Sequence, residues 1–194
     1  MDDIIAQLAR QSWAIKPDFL PHSLVNQLAS EAESCYQSGG LSPAGTGQGA
    51  EREIRQEIRG DGIYWLDAQN ATPAQTDYLE RMETLRLAVN RELQLGLFDL
   101  EAHFARYPAG AFYKKHLDVF RADERRTLSV ICYLNENWQT GDGGQLRLYL
   151  ENEQTLDVLP EGGTLACFIS AGLYHEVLPA PRPRLSVTGW FRRR

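Results

Sequence analysis

Beyond Gly96 the apolar residues recur every second position in short runs broken by turn residues, and few folds accept that pattern. Runs at about 99–107, 111–117, 126–134, 144–150, 155–159, 164–169, 173–177 and 184–192 read as eight strands. Thr140-Gly141-Asp142-Gly143-Gly144 and Pro160-Glu161-Gly162-Gly163 supply turns tolerant of positive φ. Eight short strands with such punctuation predict a jelly roll, that is, a cupin-like double-stranded β-helix.

Ahead of Gly96 the period is helical. Ile4, Ile5 and Leu8 share a face over 3–11, and Leu24, Val25, Leu28 and Ala32 do so over 21–36. Pro21 is placed to begin the second helix, with His22 at its start as a capping or surface residue. Trp13-Ala14-Ile15 reads as a strand at a sheet edge. Residues 72–95, opened by Thr72-Pro73, form a long amphipathic helix bearing Tyr78, Leu79, Met82, Leu85, Leu87, Val89 and Leu93, expected to cover one face of the barrel. From Ser38 to Ala50 the residues are Gly, Ser, Pro, Ala, Thr and Gln, with Leu41 as sole anchor. Burial cannot offset the ordering entropy of such a segment, which is therefore expected to be mobile.

The class is α+β, mainly β, in one domain over 1–194. Its parts are N-terminal helices (1–37), a mobile loop (38–53), a strand pair with the supporting helix (54–95) and the double-stranded β-helix core (96–194). A chain of 194 residues, 43% hydrophobic, suffices for one sizeable core. Met1-Asp2-Asp3 is acidic where a secretory signal is basic, and no apolar run reaches membrane-spanning length, so a cytoplasmic protein without membrane contact is expected. Cys35, Cys132 and Cys167 form no close pair, and disulfides are not expected. A net charge of −6 argues against nucleic acid as partner, and Arg192-Arg193-Arg194 reads as a solvated tail. A monomer is expected.

The chemistry concentrates in Tyr113-Lys114-Lys115-His116-Leu117-Asp118. Residues i and i+2 of a strand point the same way, so His116 and Asp118 can share one cation while Leu117 turns aside. A lone His-x-Asp is more often a surface pair than a metal site. His175, in Gly172-Leu173-Tyr174-His175-Glu176-Val177, is the best third ligand, and His103 competes but has no partner at ligand spacing. Two His and one carboxylate on one side of a metal form the facial triad of non-heme Fe(II) oxygenases, with open positions opposite. Further on, Arg184, Ser186 and Thr188 share a strand face. A cation and two hydroxyls inside an apolar barrel call for a dicarboxylate, which a guanidinium fork binds bidentately.

With these residues in view the chain resembles the Fe(II)- and 2-oxoglutarate-dependent dioxygenases, and within them the prolyl 4-hydroxylases related to the hypoxia-inducible-factor hydroxylases. The resemblance runs over about 54–192. It rests on Ile58-Arg59-Gly60-Asp61-Gly62-Ile63-Tyr64-Trp65, Tyr107-Pro108, Tyr113 before His-x-Asp, Tyr133-Leu134-Asn135 with Trp138, Gly143-Gly144-Gln145-Leu146-Arg147, and His175-Glu176-Val177 through Arg184. The segment from Tyr107 to His116 is a residue shorter than in the animal enzymes. The resemblance implies Fe(II) on His116, Asp118 and His175, O2, and 2-oxoglutarate whose far carboxylate meets Arg184, Tyr133 and Thr188. It places Leu146 in that pocket's lining and Tyr107 at the cosubstrate's other end. Tyr113, Arg126 and Trp190 match positions that contact the target proline or its flanking peptide. Ascorbate as reductant, a proline-bearing protein substrate (elongation factor Tu among bacterial relatives) and a substrate-covering role for 38–53 follow from the same resemblance. Two other functions compete: hydroxylation of a free amino acid or small metabolite, and a non-catalytic cupin-like metal- or ligand-binding module.

Overall fold

The computed structural model describes residues 1–46, 53–119 and 125–194. Helix α1 (Asp2–Gln11) buries Ile4, Ile5 and Leu8, carries Asp2 and Asp3 in its first turn, where the helix dipole favours acids, and stops at a left-handed Ser12. After strand β1 (Trp13–Lys16), helix α2 (His22–Gln37) follows Pro21 and buries Leu24, Val25, Leu28 and Ala32. His22 is exposed and caps nothing. Helix α3 (Pro73–Leu93) is capped by Thr72, whose hydroxyl accepts from the Gln75 N–H and donates to Glu31 of α2 at 2.7 Å, so one side chain starts α3 and ties it to its neighbour. Tyr78, Met82, Leu85 and Val89 are buried beneath α3, whereas Leu87 is 55% exposed and belongs to the solvent side.

The remaining strands are β2 (Ser42–Pro43), β3 (Gly62–Trp65), β4 (Asp99–Tyr107), β5 (Tyr113–His116), β6 (Arg126–Tyr133), β7 (Leu146–Tyr149), β8 (Thr155–Val158), β9 (Leu165–Ile169), β10 (His175–Val177) and β11 (Arg184–Arg192). They form a larger sheet in the order β1-β9-β6-β11-β4-β3-β2 and a smaller one in the order β5-β10-β7-β8, with antiparallel pairing throughout. This is the double-stranded β-helix: β4 to β11 are the eight strands that the period-two runs imply, and β1 is the expected edge strand.

Side-chain alternation divides the apolar residues into two cores. Phe104, Leu128, Val130, Cys132, Leu165, Cys167, Val187 and Phe191 point from the larger sheet to the helices. Their strand neighbours Ala105, Tyr107, Ile131, Tyr133, Ala166 and Phe168 point the other way and meet Leu146, Leu148, Val158 and Val177 of the smaller sheet. The second core is the barrel interior.

Several boundaries differ from expectation. β5, β7 and β10 are shorter than the runs that announced them, because their outer residues leave the regular ladders. Of 58–65 only Gly62–Trp65 is a strand; before it, Arg59 bridges to Tyr113 and extends the edge of the smaller sheet. The Gly-rich segment has more than Leu41 to hold it: Ser42 and Pro43 pair with β3, and Ala44 is buried in the inner core. Residues 47–52, part of the expected mobile loop, lie outside the described residues. Arg192 is no free tail, since it ends β11 and pairs with Asp99 and Glu101. The three cysteines are free, and among the described residues no helix is long and apolar enough to cross a membrane.

Candidate active site

His116 ends β5 and His175 begins β10, and the antiparallel register sets them opposite one another with ring centroids 4.2 Å apart. Asp118 is not on the strand: β5 stops at His116, and Asp118 lies in the bend that follows. Its carboxylate still reaches the imidazoles, Oδ1 at 3.5 Å from His116 Nε2 and Oδ2 at 3.5 Å from His175 Nε2. His116 Nδ1 faces the Lys114 carbonyl at 2.7 Å and His175 Nδ1 the Leu173 carbonyl at 3.1 Å. A carbonyl only accepts, so Nδ1 carries the proton in each ring and both Nε2 lone pairs are left to a cation. One ligand atom from each of His116, Asp118 and His175 lies within 4.8 Å of the others, and the three can hold a metal ion.

Burial alone would raise the Asp118 carboxyl, but the facing His175 and His116 hold it well below its usual value. Burial and the neighbouring His175 keep His116 low, whereas Asp118 outweighs burial at His175 and raises it. The Tyr113 ring stacks on His116 with centroids 3.5 Å apart, and the Arg59 guanidinium lies 4.2 Å from the centroid of the Tyr113 ring, fixed by a bidentate bond to Asp61.

The same cavity contains a cation with no anion. Arg184, 2% exposed, donates through Nε to the Gly144 carbonyl at 2.9 Å, and no carboxylate pairs with it among the described residues. Gly144 permits this approach: φ is +70°, and a Cβ there would stand 3.0 Å from Trp138 and 3.1 Å from Ala180. Beside the guanidinium, the buried Tyr133 hydroxyl has no hydrogen-bond partner of regular geometry among the described residues; burial pushes it up to about 12, with the adjacent Arg184 opposing. Thr188 shares a hydrogen bond with Ser186 at 3.1 Å and lines the cavity with Leu146 and Tyr107, whose ring lies 5.2 Å from the Arg184 guanidinium carbon. A buried guanidinium and an orphaned hydroxyl are costly unless a ligand pairs them, and the far carboxylate of a dicarboxylate fits both. The donor set thus suits a facially held metal and an acidic cosubstrate together.

Trp190 lines the cavity near its other end, with a buried indole N–H that has no hydrogen-bond partner among the described residues. Arg126 lies outside the lining; its guanidinium covers the Trp190 ring at 3.5 Å while Nε donates to Glu101 at 2.7 Å. His103, the competing ligand, also lines the cavity but stands apart from the cluster. Trp65 meets it edge-on at 4.9 Å, Trp190 lies at 5.5 Å, and burial lowers it to about 4. Sequence reasoning assigned no role to the Arg59–Asp61 pair or to Ser129, which donates to Asp118 Oδ2 at 2.6 Å. The first had a signal in Ile-Arg-Gly-Asp; a lone serine in an apolar strand had none.

The 2OG-Fe(II) oxygenase superfamily model matches residues 102–192, from β4 to β11. The chain belongs to that superfamily, whose members use Fe(II), 2-oxoglutarate and O2, and within it to the prolyl hydroxylases. The particular likenesses are close. A crystal structure of a Pseudomonas putida prolyl-4-hydroxylase superposes with TM-score 0.89 at 48% identity, covering 98% of this chain and 97% of that one. A Trichoplax adhaerens prolyl hydroxylase, solved with a peptide fragment of the hypoxia inducible factor oxygen degradation domain, gives 0.88 at 29% identity, covering 98% and 88%. The Caenorhabditis elegans hypoxia-inducible factor prolyl hydroxylase is 31% identical over 98% of this chain, which spans 28% of that longer protein.

Proposed function

We propose that this chain hydroxylates a prolyl residue in a protein substrate, consuming 2-oxoglutarate and O2 and releasing succinate and CO2. One observation carries this: an unpaired buried guanidinium and a His-Asp-His cluster face the same cavity. His116, Asp118 and His175 would hold Fe(II) and leave its other positions open. Fe(II) held there with 2-oxoglutarate would supply the oxidative decarboxylation that drives hydroxylation of a C–H bond.

The protein's part is placement and exclusion of water. With Nε fixed on Gly144, Arg184 offers its terminal nitrogens as a fork to the far carboxylate, and the Tyr133 and Thr188 hydroxyls take its remaining lone pairs. Leu146 and Ile131 line the cavity where the acid's methylenes would lie, and Tyr107 closes the cosubstrate's side. Tyr113, flat against His116, and Trp190, braced by Arg126, form the substrate side. The free Trp190 N–H is a donor for a peptide carbonyl. Ascorbate keeping the iron reduced, elongation factor Tu as substrate and a covering role for 38–53, of which 47–52 lie outside the described residues, complete the proposal on the strength of family resemblance, and a monomer in the cytoplasm on the reading of the sequence.

The test is incubation with Fe(II), ascorbate, 2-oxoglutarate and a cell lysate, followed by mass spectrometry for prolines heavier by one oxygen atom. Modified prolines on a protein, with matching succinate, are expected. Succinate formation stimulated only by free amino acids or metabolites would move the substrate class, and no succinate under any condition would leave a binding module.

A further inference from the structure

Asp118 is the one member of the metal cluster that no strand holds. The ladder that sets His116 opposite His175 ends two residues before it, so the carboxylate is free to turn about its side-chain torsions unless something else fixes it. Among the described residues, the hydroxyl that holds it comes from the other sheet. Ser129, in β6 and without exposed surface, donates its hydroxyl to Asp118 Oδ2 at 2.6 Å. Ser170, equally buried just beyond β9, lies 2.9 Å from Ser129 Oγ. A hydroxyl has one proton. Ser129 gives its own to the carboxylate, so Ser170 must be the donor in the second bond, and the order runs Ser170 to Ser129 to Asp118.

Both serines are set by backbone pairing rather than by the loop they serve. Ser129 stands opposite Phe168 in the β6–β9 ladder, and the Ser170 N–H donates to the Thr127 carbonyl at 3.0 Å. The pair therefore joins a rigid part of the larger sheet to a ligand that leaves the smaller one. We propose that Ser129 is a positioning residue for the metal site and that Ser170 acts through it, the two hydroxyls holding the Asp118 carboxylate toward the imidazoles before a cation arrives. This rests on His116, Asp118 and His175 being the ligands. Partners that orient a metal ligand in this way commonly carry 10–100-fold of affinity, because without them the ligand must be ordered as the metal binds.

The experiment is anaerobic equilibrium dialysis of the full chain against Fe(II) alone, for the wild type and for Ser129→Ala, Ser170→Ala, the double variant, Ser129→Thr and Asp118→Ala. Ser129→Ala should weaken Fe(II) binding by about 10–100-fold, and Ser170→Ala by a smaller factor. The double variant should bind within about twofold of Ser129→Ala, since Ser170 then has nothing to act on. Ser129→Thr, which keeps the hydroxyl, should recover most of the affinity. Wild-type affinity in Ser129→Ala, or a double variant in which the two losses simply add, would overturn the relay. If circular dichroism shows Ser129→Ala unfolded, Ser170→Ala decides: weakened binding sustains the proposal and unchanged binding overturns it. Failure of the ligand assignment looks different, because the wild type would then bind no Fe(II), or Asp118→Ala would bind it equally well.

Discussion

Lowering the pH should destabilise this protein through His103, a residue with no part in the metal cluster. The ring is 2% exposed and sits between Trp65 and Trp190. Burial lowers it from 6.5 to about 4, with Arg59 and Arg126 adding to the effect and Asp61 opposing it. Unfolded, the side chain takes up its proton near 6.5; folded, only near 4. Between those values the unfolded state binds more protons, so stability present above 6.5 is lost as the pH falls. The full loss is about 3 kcal/mol, reached below pH 4, and about 2 kcal/mol of it should be gone at about pH 5. The perturbation is His103→Met, which fills the aromatic slot without a titrating group. Urea unfolding of the metal-free protein at about pH 7.5 and about pH 5 gives two stability differences. The wild type should lose about 2 kcal/mol more than the variant; other groups, Asp118 and His175 included, are common to both and cancel. Equal losses would refute the account and mean that His103 is hydrated or already paired when folded.

Arg184→Lys should weaken 2-oxoglutarate binding to the Fe(II)-loaded protein by about tenfold or more, since an ammonium cannot serve Gly144 and a carboxylate fork together; anaerobic titration giving an unchanged dissociation constant would count against the pocket. Tyr78→Phe removes a hydroxyl that is fully buried and without a hydrogen-bond partner among the described residues, so stability should hold or rise by up to about 1 kcal/mol in denaturant unfolding. Gly189→Ala puts a Cβ 2.7 Å from the Glu101 carbonyl and 2.9 Å from the Ala102 Cβ, between adjoining strands, and should cost about 1–3 kcal/mol by the same measurement. A loss under about 0.5 kcal/mol would show that β4 and β11 part easily.

Alternation of side chains every second residue already determined β4 to β11, because a strand's faces are a local property and each run carries its own record of them. Helical spacing did the same for α1, α2 and α3, and Thr72-Pro73 marked the start of α3 through backbone chemistry that needs no distant partner. The residue types at 116, 118, 175 and 184 pointed toward a metal and an acid, and the fold brings all four to one cavity. Position in the chain does not determine company in space, and company decided the rest. β3 and β11 bring Trp65 and Trp190 against His103, whose burial lowers it and which stands outside the His116, Asp118 and His175 cluster. Leu87 faces water because α3 has only one side to bury. Asp118 leaves its strand, and among the described residues the hydroxyl that reaches it is that of Ser129, itself bonded to Ser170; these lie 11 and 52 residues further along and are joined only when β6 and β9 pair. A hydroxyl's role depends on which proton acceptor the fold places within 3 Å of it, and that distance exists only once the two sheets have closed.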